Sequence, residues 1–139
     1  MIAVKTGTLA DVDWLCSHEH GLTKDHVTDT VVRGEYLVAT LEQTSMGLLR
    51  FSWFWREIPY MEFVHVLPDS RRRGIGSALL SGWESRMRAA GATLLMTSSV
   101  ESEIEPQAWH RRNGYAPSGA LRFAHLQSEP EVFFLKSIG

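Results

Sequence analysis

Cysteine is almost absent. Cys16 is the only one among 139 residues, so no disulfide can close within the chain, and a reducing cytoplasm is the expected compartment. No apolar run approaches membrane-spanning length, and Met1-Ile2-Ala3-Val4-Lys5-Thr6 lacks a secretory-signal pattern. An excess of one charge is missing too. Fourteen Lys and Arg against 16 Asp and Glu give a formal net charge of −2, which argues against a general nucleic-acid binder or membrane-surface protein. There is no internal repeat and no low-complexity segment. What is present, 44% hydrophobic and 22% charged residues, suits a single folded domain over residues 1–139.

The chain is organised around Val66-Leu67-Pro68-Asp69-Ser70-Arg71-Arg72-Arg73-Gly74-Ile75-Gly76-Ser77-Ala78-Leu79-Leu80. Tyr60 to Val66 is rich enough in aromatic and β-branched residues to be a strand, and Pro68 cannot continue it. From Ile75, the residues Ala78, Leu79, Trp83, Met87 and Ala90 fall at helical spacing, and Gly91 is placed to end the helix. Arg71, Arg72, Arg73, Gly74 and Gly76 lie between the strand and the first turn. Glycine permits close backbone approach, a helix start offers unpaired N–H groups, and arginine adds forked donors. This reads as a seat for a phosphorylated ligand, with a pyrophosphate fitting best. No lysine completes a P-loop, and Leu79 stands where a dinucleotide fingerprint needs a third glycine. A solvated arginine run on an ordinary connection is the alternative.

Elsewhere, Ile2 to Lys5 reads as a strand, and Thr8 can cap a helix whose apolar face is Leu9, Val12, Leu15 and Cys16. Cys16 there is a small core residue. His18-Glu19-His20 and His26 include common zinc ligands, but their loose spacing marks a polar loop, and no metal is expected. A short helix over Asp25 to Val32 should end near Gly34. Tyr36 to Leu41, Met46 to Trp55 and Tyr60 to Val66 read as an antiparallel meander with turns at 42–45 and 56–59. The middle strand carries Phe51, Trp53 and Trp55 on one face and Phe54 on the other, mostly core with some lining for a small-molecule pocket. Thr93 to Ser98 reads as a buried strand. Pro106 falls in the first turn of a helix through Trp109-His110-Arg111-Arg112-Asn113 that stops at Gly114. Weaker strands follow near Tyr115 to Leu121 and Glu131 to Lys136. The order β, α, α, β, β, β, α, β, α, β, β gives an α/β domain with a mixed sheet.

Arg71-x-x-Gly74-x-Gly76, after a strand ending Val66-x-Pro68, resembles the coenzyme A-binding motif of the GNAT superfamily of N-acetyltransferases. Trp109-His110-Arg111-Arg112-Asn113-Gly114-Tyr115 resembles that family's aromatic-Tyr-x-x-x-Gly-aromatic helix end. The likeness spans Tyr60 to Tyr115. It implies a mostly antiparallel sheet whose central parallel strands, ending near Val66 and Ser98, splay to admit the pantetheine arm. In the strand stretch Val64-His65-Val66, backbone groups of Val64 and Val66 would bond the arm, with His65 facing the other way. The amides of Arg71, Arg72, Arg73, Gly74, Ile75, Gly76 and Ser77 would hold the pyrophosphate.

The implied reaction is direct acetyl transfer from acetyl-CoA to an amine of a small molecule or peptide. An alkylammonium has no lone pair, so a base must act first. Glu62 resembles the glutamate proposed for that role in polyamine-acetylating members, and the Val66 amide is a candidate oxyanion donor. His110 stands where the family often carries a tyrosine acid. Imidazole can donate a proton to the departing thiolate, or it can pack beside the thioether while water does so. A non-catalytic acyl-CoA sensor and an interaction module on the same fold are the rival functions. A homodimer is compatible with the family, and the acceptor is not fixed by the sequence.

Overall fold

Glu42 and Gln43 both take left-handed backbone conformations (φ 50° and 67°), the geometry of a two-residue hairpin turn. This turn joins β2 (Tyr36–Leu41) to β3 (Thr44–Phe54), so the second strand starts at Thr44 where the sequence suggested Met46. The next turn is left-handed at Trp55 and Arg56 (φ 56° and 58°), and β4 (Ile58–Val66) begins early enough to include Pro59. A proline near a strand's start costs the ladder little. The computed structural model describes Met1–Gly139. Its remaining elements are β1 (Ile2–Thr6), α1 (Val12–His18), α2 (Lys24–Val32), α3 (Ile75–Ala89), β5 (Leu94–Val100), α4 (Ile104–Arg112), β6 (Ala116–Leu121) and β7 (Glu131–Ser137). The expected order of elements and the mixed α/β class both hold. The seven strands lie in the order β1-β2-β3-β4-β5-β7-β6. β4 and β5 are parallel, with Tyr60 beside Met96 and Met61 beside Thr97. The β1–β2, β2–β3, β5–β7 and β6–β7 pairs are antiparallel. No helix is long and apolar enough to cross a membrane.

The chain forms two compact units. One comprises Met1–Ser52 with Phe63–Arg86, the other Trp53–Glu62 with Met87–Gly139. In the first, Val12, Leu15, Val27, Val31, Tyr36, Val38 and Leu48 form a buried cluster flanked by Trp14, Cys16, Leu22 and Phe63. Burying such large apolar side chains contributes about 1.5–3 kcal/mol each. The expected face of the first helix is corrected at Leu9, which is 65% exposed. Leu9–Asp11 is a single 3-10 turn, and its tighter winding points Asp11 inward instead. The Asp11 carboxylate accepts from Lys5 Nζ at 2.6 Å and the Thr8 amide at 2.8 Å. Burial pushes its pKa up, but these bonds outweigh it and leave the carboxyl below its ordinary range.

α3 closes onto β3 because position 47 has no side chain. A Cβ on Gly47 would lie 2.9 Å from Ile75 Cγ2 and 3.0 Å from the His65 carbonyl oxygen. Arg86 ties the other end of the helix to β1 by donating to the Val4 carbonyl at 3.1 Å.

In the second unit, helix ends follow the expected glycines. The Gly91 amide donates to the Arg88 carbonyl and Ala92 to Met87, while Gly114 donates to Arg111 and Tyr115 to His110. Both are Schellman closures. The aromatics of the β3–β4 turn are only partly core: Phe51 is buried, whereas Phe54 and Trp55 are 42% and 76% exposed.

Candidate functional site

Three consecutive local decisions build the loop after β4. Pro68–Ser70 forms a 3-10 turn closed by the Ser70 amide on the Leu67 carbonyl at 2.9 Å. Ser70, 2% exposed, points its hydroxyl at Met46 Sδ at 2.7 Å, which pins the turn to β3. The backbone then turns left-handed at Arg72 (φ 68°) and again at Gly74 (φ 81°), where a side chain would be strained. Alternating hands of this kind aim successive amides toward one side. The Ala78 amide bonds the Gly74 carbonyl at 2.9 Å, so the amides of Ile75, Gly76 and Ser77 lie in the helix's first turn, where no intrahelical acceptor exists. Ile75 is 1% exposed and anchors the helix mouth. Arg71, Arg72 and Arg73 are all exposed around it, and Arg71 Nε reaches the Val66 carbonyl at 3.4 Å. Amides, helix dipole and guanidinium groups together fit a diphosphate.

His65 belongs to a different grouping. Its ring stacks on His18 at 5.5 Å and Phe63 at 6.1 Å, and meets His20 edge-on at 6.5 Å. Burial lowers its pKa, and the positive potential of His18, Arg71 and His20 lowers it further. The His18-Glu19-His20 stretch therefore does more than form a polar loop. Glu19, with its side chain 1% exposed, accepts from Arg50 Nε at 2.7 Å and from the Tyr36 hydroxyl at 2.5 Å. This pairing is not legible in the sequence, since Tyr36 and Arg50 lie 17 and 31 residues away.

In the second unit, Glu62 is exposed on β4. Register fixes its side of the sheet. Tyr60 pairs with Met96, so Tyr60, Met96, Ser98 and Phe133 share one face, while Met61, Thr97 and Phe134 share the other. The Tyr60 hydroxyl lies 2.6 Å from Ser98 Oγ, consistent with that alternation. Glu62, two residues beyond Tyr60, falls on the Tyr60 face. His110 packs on Phe134 with ring centroids 5.2 Å apart, and so lies on the opposite face. It is 7% exposed, among Trp109, Tyr115 and Phe134, and its Nδ1 has no hydrogen-bond partner. Burial pushes its pKa down to about 4, against a smaller upward pull from a hydrogen bond to the Ser98 backbone. At neutral pH this histidine is uncharged. Asp25, Asp29, Glu101, Glu103 and Glu105 are all exposed.

A seven-stranded mixed sheet with four helices places the chain in the mixed α/β class. Residues 9–115 match the sequence model of the acetyltransferase (GNAT) family, and the chain belongs to that family. No curated protein sequence matches it. Solved structures resemble it over nearly its whole length at low identity. Ard1 from Thermoplasma volcanium aligns with TM-score 0.86 and 16% identity, over 99% of this chain and 98% of that one. The PaiA N-acetyltransferase from Thermoplasma acidophilum, in complex with coenzyme A, gives 0.82 and 13% over 99% of each. The ribosomal-protein-S18-alanine N-acetyltransferase from Escherichia coli gives 0.83 and 15% over 100% and 95%.

Proposed function

We propose that residues 1–139 form one N-acetyltransferase domain that moves an acetyl group from acetyl-CoA to a primary amine of a small molecule or peptide. The observation that carries this reading is the loop from Arg71 to Ser77, with left-handed turns at Arg72 and Gly74 running into the first turn of α3. Its amides and the three arginines would hold the diphosphate, and backbone groups of Val64 and Val66 would pair with the pantetheine arm. Acetyl-CoA supplies the activated thioester. The Val66 amide is the proposed donor to the developing oxyanion.

Glu62 is the proposed base. Its carboxylate is exposed, and it takes the proton that frees the nitrogen lone pair. Two roles are open to His110, and its burial favours the second. An imidazole whose cation forms only near pH 4 is a scarce acid, so His110 anchors α4 to β5 while water protonates the thiolate. A lone free thiol, Cys16, suits a cytoplasmic setting.

The experiment is thermal stabilisation by coenzyme A and acetyl-CoA, followed by thiol release with spermidine, free amino acids, an aminoglycoside and an alanine-terminated peptide. Stabilisation with turnover of at least one amine is expected. Absence of stabilisation defeats the reading, and stabilisation without turnover favours a sensor.

A further inference from the structure

We propose that Glu131, acting through the hydroxyls of Ser98 and Tyr60, is the second proton acceptor of the transfer, an inference that rests on the amine-acetylation reading above. The acceptor enters as an ammonium with three protons on nitrogen and leaves as an amide with one. Two protons must therefore leave nitrogen in each turnover, while the departing thiolate regains one from water. Glu62 accounts for the first.

The second has a path across three neighbouring strands. Tyr60 on β4 and Ser98 on β5 have hydroxyl oxygens 2.6 Å apart, and Ser98 Oγ donates to Glu131 Oε2 on β7 at 2.7 Å. Because the Ser98 proton is committed to Glu131, Tyr60 is the donor in the first link. Tyr60 sits beside Met96, yet its hydroxyl leans forward to Ser98. Glu62 follows Tyr60 by two residues along β4 and so falls on the same face of the sheet. The chain thus begins where Glu62 works.

Its far end is fixed. Gln127 Nε2 donates to Glu131 Oε1 at 3.0 Å and to the Glu129 carbonyl at 2.9 Å, and Ser102 holds the Glu129 carboxylate at 2.9 Å. The rings of Phe133 and Phe123 flank this face, with centroids 6.4 Å apart and Phe133 6.2 Å from Tyr60.

The proton count closes without any new reactant. A proton from nitrogen arrives on the Tyr60 oxygen as the phenol proton moves to Ser98 Oγ and the Ser98 proton moves to Glu131. Each hydroxyl gains one proton and loses one. Only Glu131 changes charge, and it discharges to water from a half-buried position. Tyr60 meets the nitrogen, and Ser98 and Glu131 are positioning residues behind it.

The test compares wild type with Tyr60→Phe, Ser98→Ala and Glu131→Gln by coenzyme A release from acetyl-CoA. Spermidine and an alanine-terminated peptide serve as acceptors, in buffers of stepwise rising deuterium content. If protons move together along the chain, kcat falls along a bowed curve as deuterium replaces hydrogen, and cutting the chain makes the fall linear. Each variant should lose about 100-fold in kcat with KM within about threefold, and retain coenzyme A affinity. A curve that stays bowed in the variants overturns the proposal even if kcat falls, since a merely structural network would lower the rate without removing a moving proton. If one variant does not fold, the other two cut the same chain and decide the matter. Wild type that binds coenzyme A but acetylates neither amine overturns the proposal together with the transfer reading. Wild type that acetylates while the variant curves stay bowed overturns the relay alone.

Discussion

Acidification should weaken this fold through His110 in a way that one substitution removes. Folded His110 holds out against protonation until about pH 4, whereas an unfolded histidine takes its proton near 6.5. Between those values the unfolded state binds more protons, so stability falls as pH falls. The full loss is about 2.5 pH units at about 1.36 kcal/mol each, or about 3 kcal/mol, and about 2 kcal/mol of it accrues between pH 7 and pH 5. His110→Phe keeps an aromatic ring among Trp109, Tyr115 and Phe134 but cannot titrate. At pH 7 the variant should be weaker by about 1 kcal/mol for the lost bond to the Ser98 backbone. Urea unfolding followed by circular dichroism, at pH 7 and again at pH 5, measures the gap between the two proteins. The gap should move by about 2 kcal/mol in favour of the variant on acidification. Parallel stabilities at the two pH values would refute the argument from burial.

Other substitutions probe the frame and the chemistry. Gly47→Ala puts a methyl group 2.9 Å from Ile75 Cγ2 and 3.0 Å from the His65 carbonyl. It should cost about 1–3 kcal/mol in chemical denaturation, and a neutral result would mean α3 is free to retreat from β3. Glu19→Ala removes the buried carboxylate that the Arg50 guanidinium and the Tyr36 hydroxyl share, and should cost about 3 kcal/mol. An unchanged melting temperature would show that the pair is dispensable. Glu62→Gln should spare coenzyme A affinity and slow transfer by about 100-fold, most strongly at low pH where free amine is scarce. An unaltered pH–rate profile would remove Glu62 from the mechanism.

The parts legible in the sequence were those encoded locally. Gly91 and Gly114 announce helix ends because the chain must reverse its hand there within two residues, and the hydrogen bonds fall accordingly. The arginine–glycine loop was readable for the same reason: its conformation depends on its own residues. Leu9 misled because helical periodicity assumes a constant pitch, and a 3-10 turn breaks it. Pro59 sits inside β4 although proline argues for a turn, since its missing N–H matters little at a strand's start. The placement of β7 between β5 and β6 was not legible, because the order of antiparallel neighbours is set by long-range packing. That placement is what brings Glu131 to Ser98 across 33 residues and Phe134 to His110. The polar relay and the neutral histidine were thus beyond sequence reasoning. The same holds for Glu19, whose partners arrive from β2 and β3.

The account turns on the diphosphate at the mouth of α3. Isothermal titration of the wild-type chain with coenzyme A, and separately with pantetheine, which lacks the diphosphate, tests this most directly. Coenzyme A should bind at least about 100-fold more tightly than pantetheine, the equivalent of about two charge-assisted hydrogen bonds. Equal affinities, or no binding of coenzyme A at all, would contradict it.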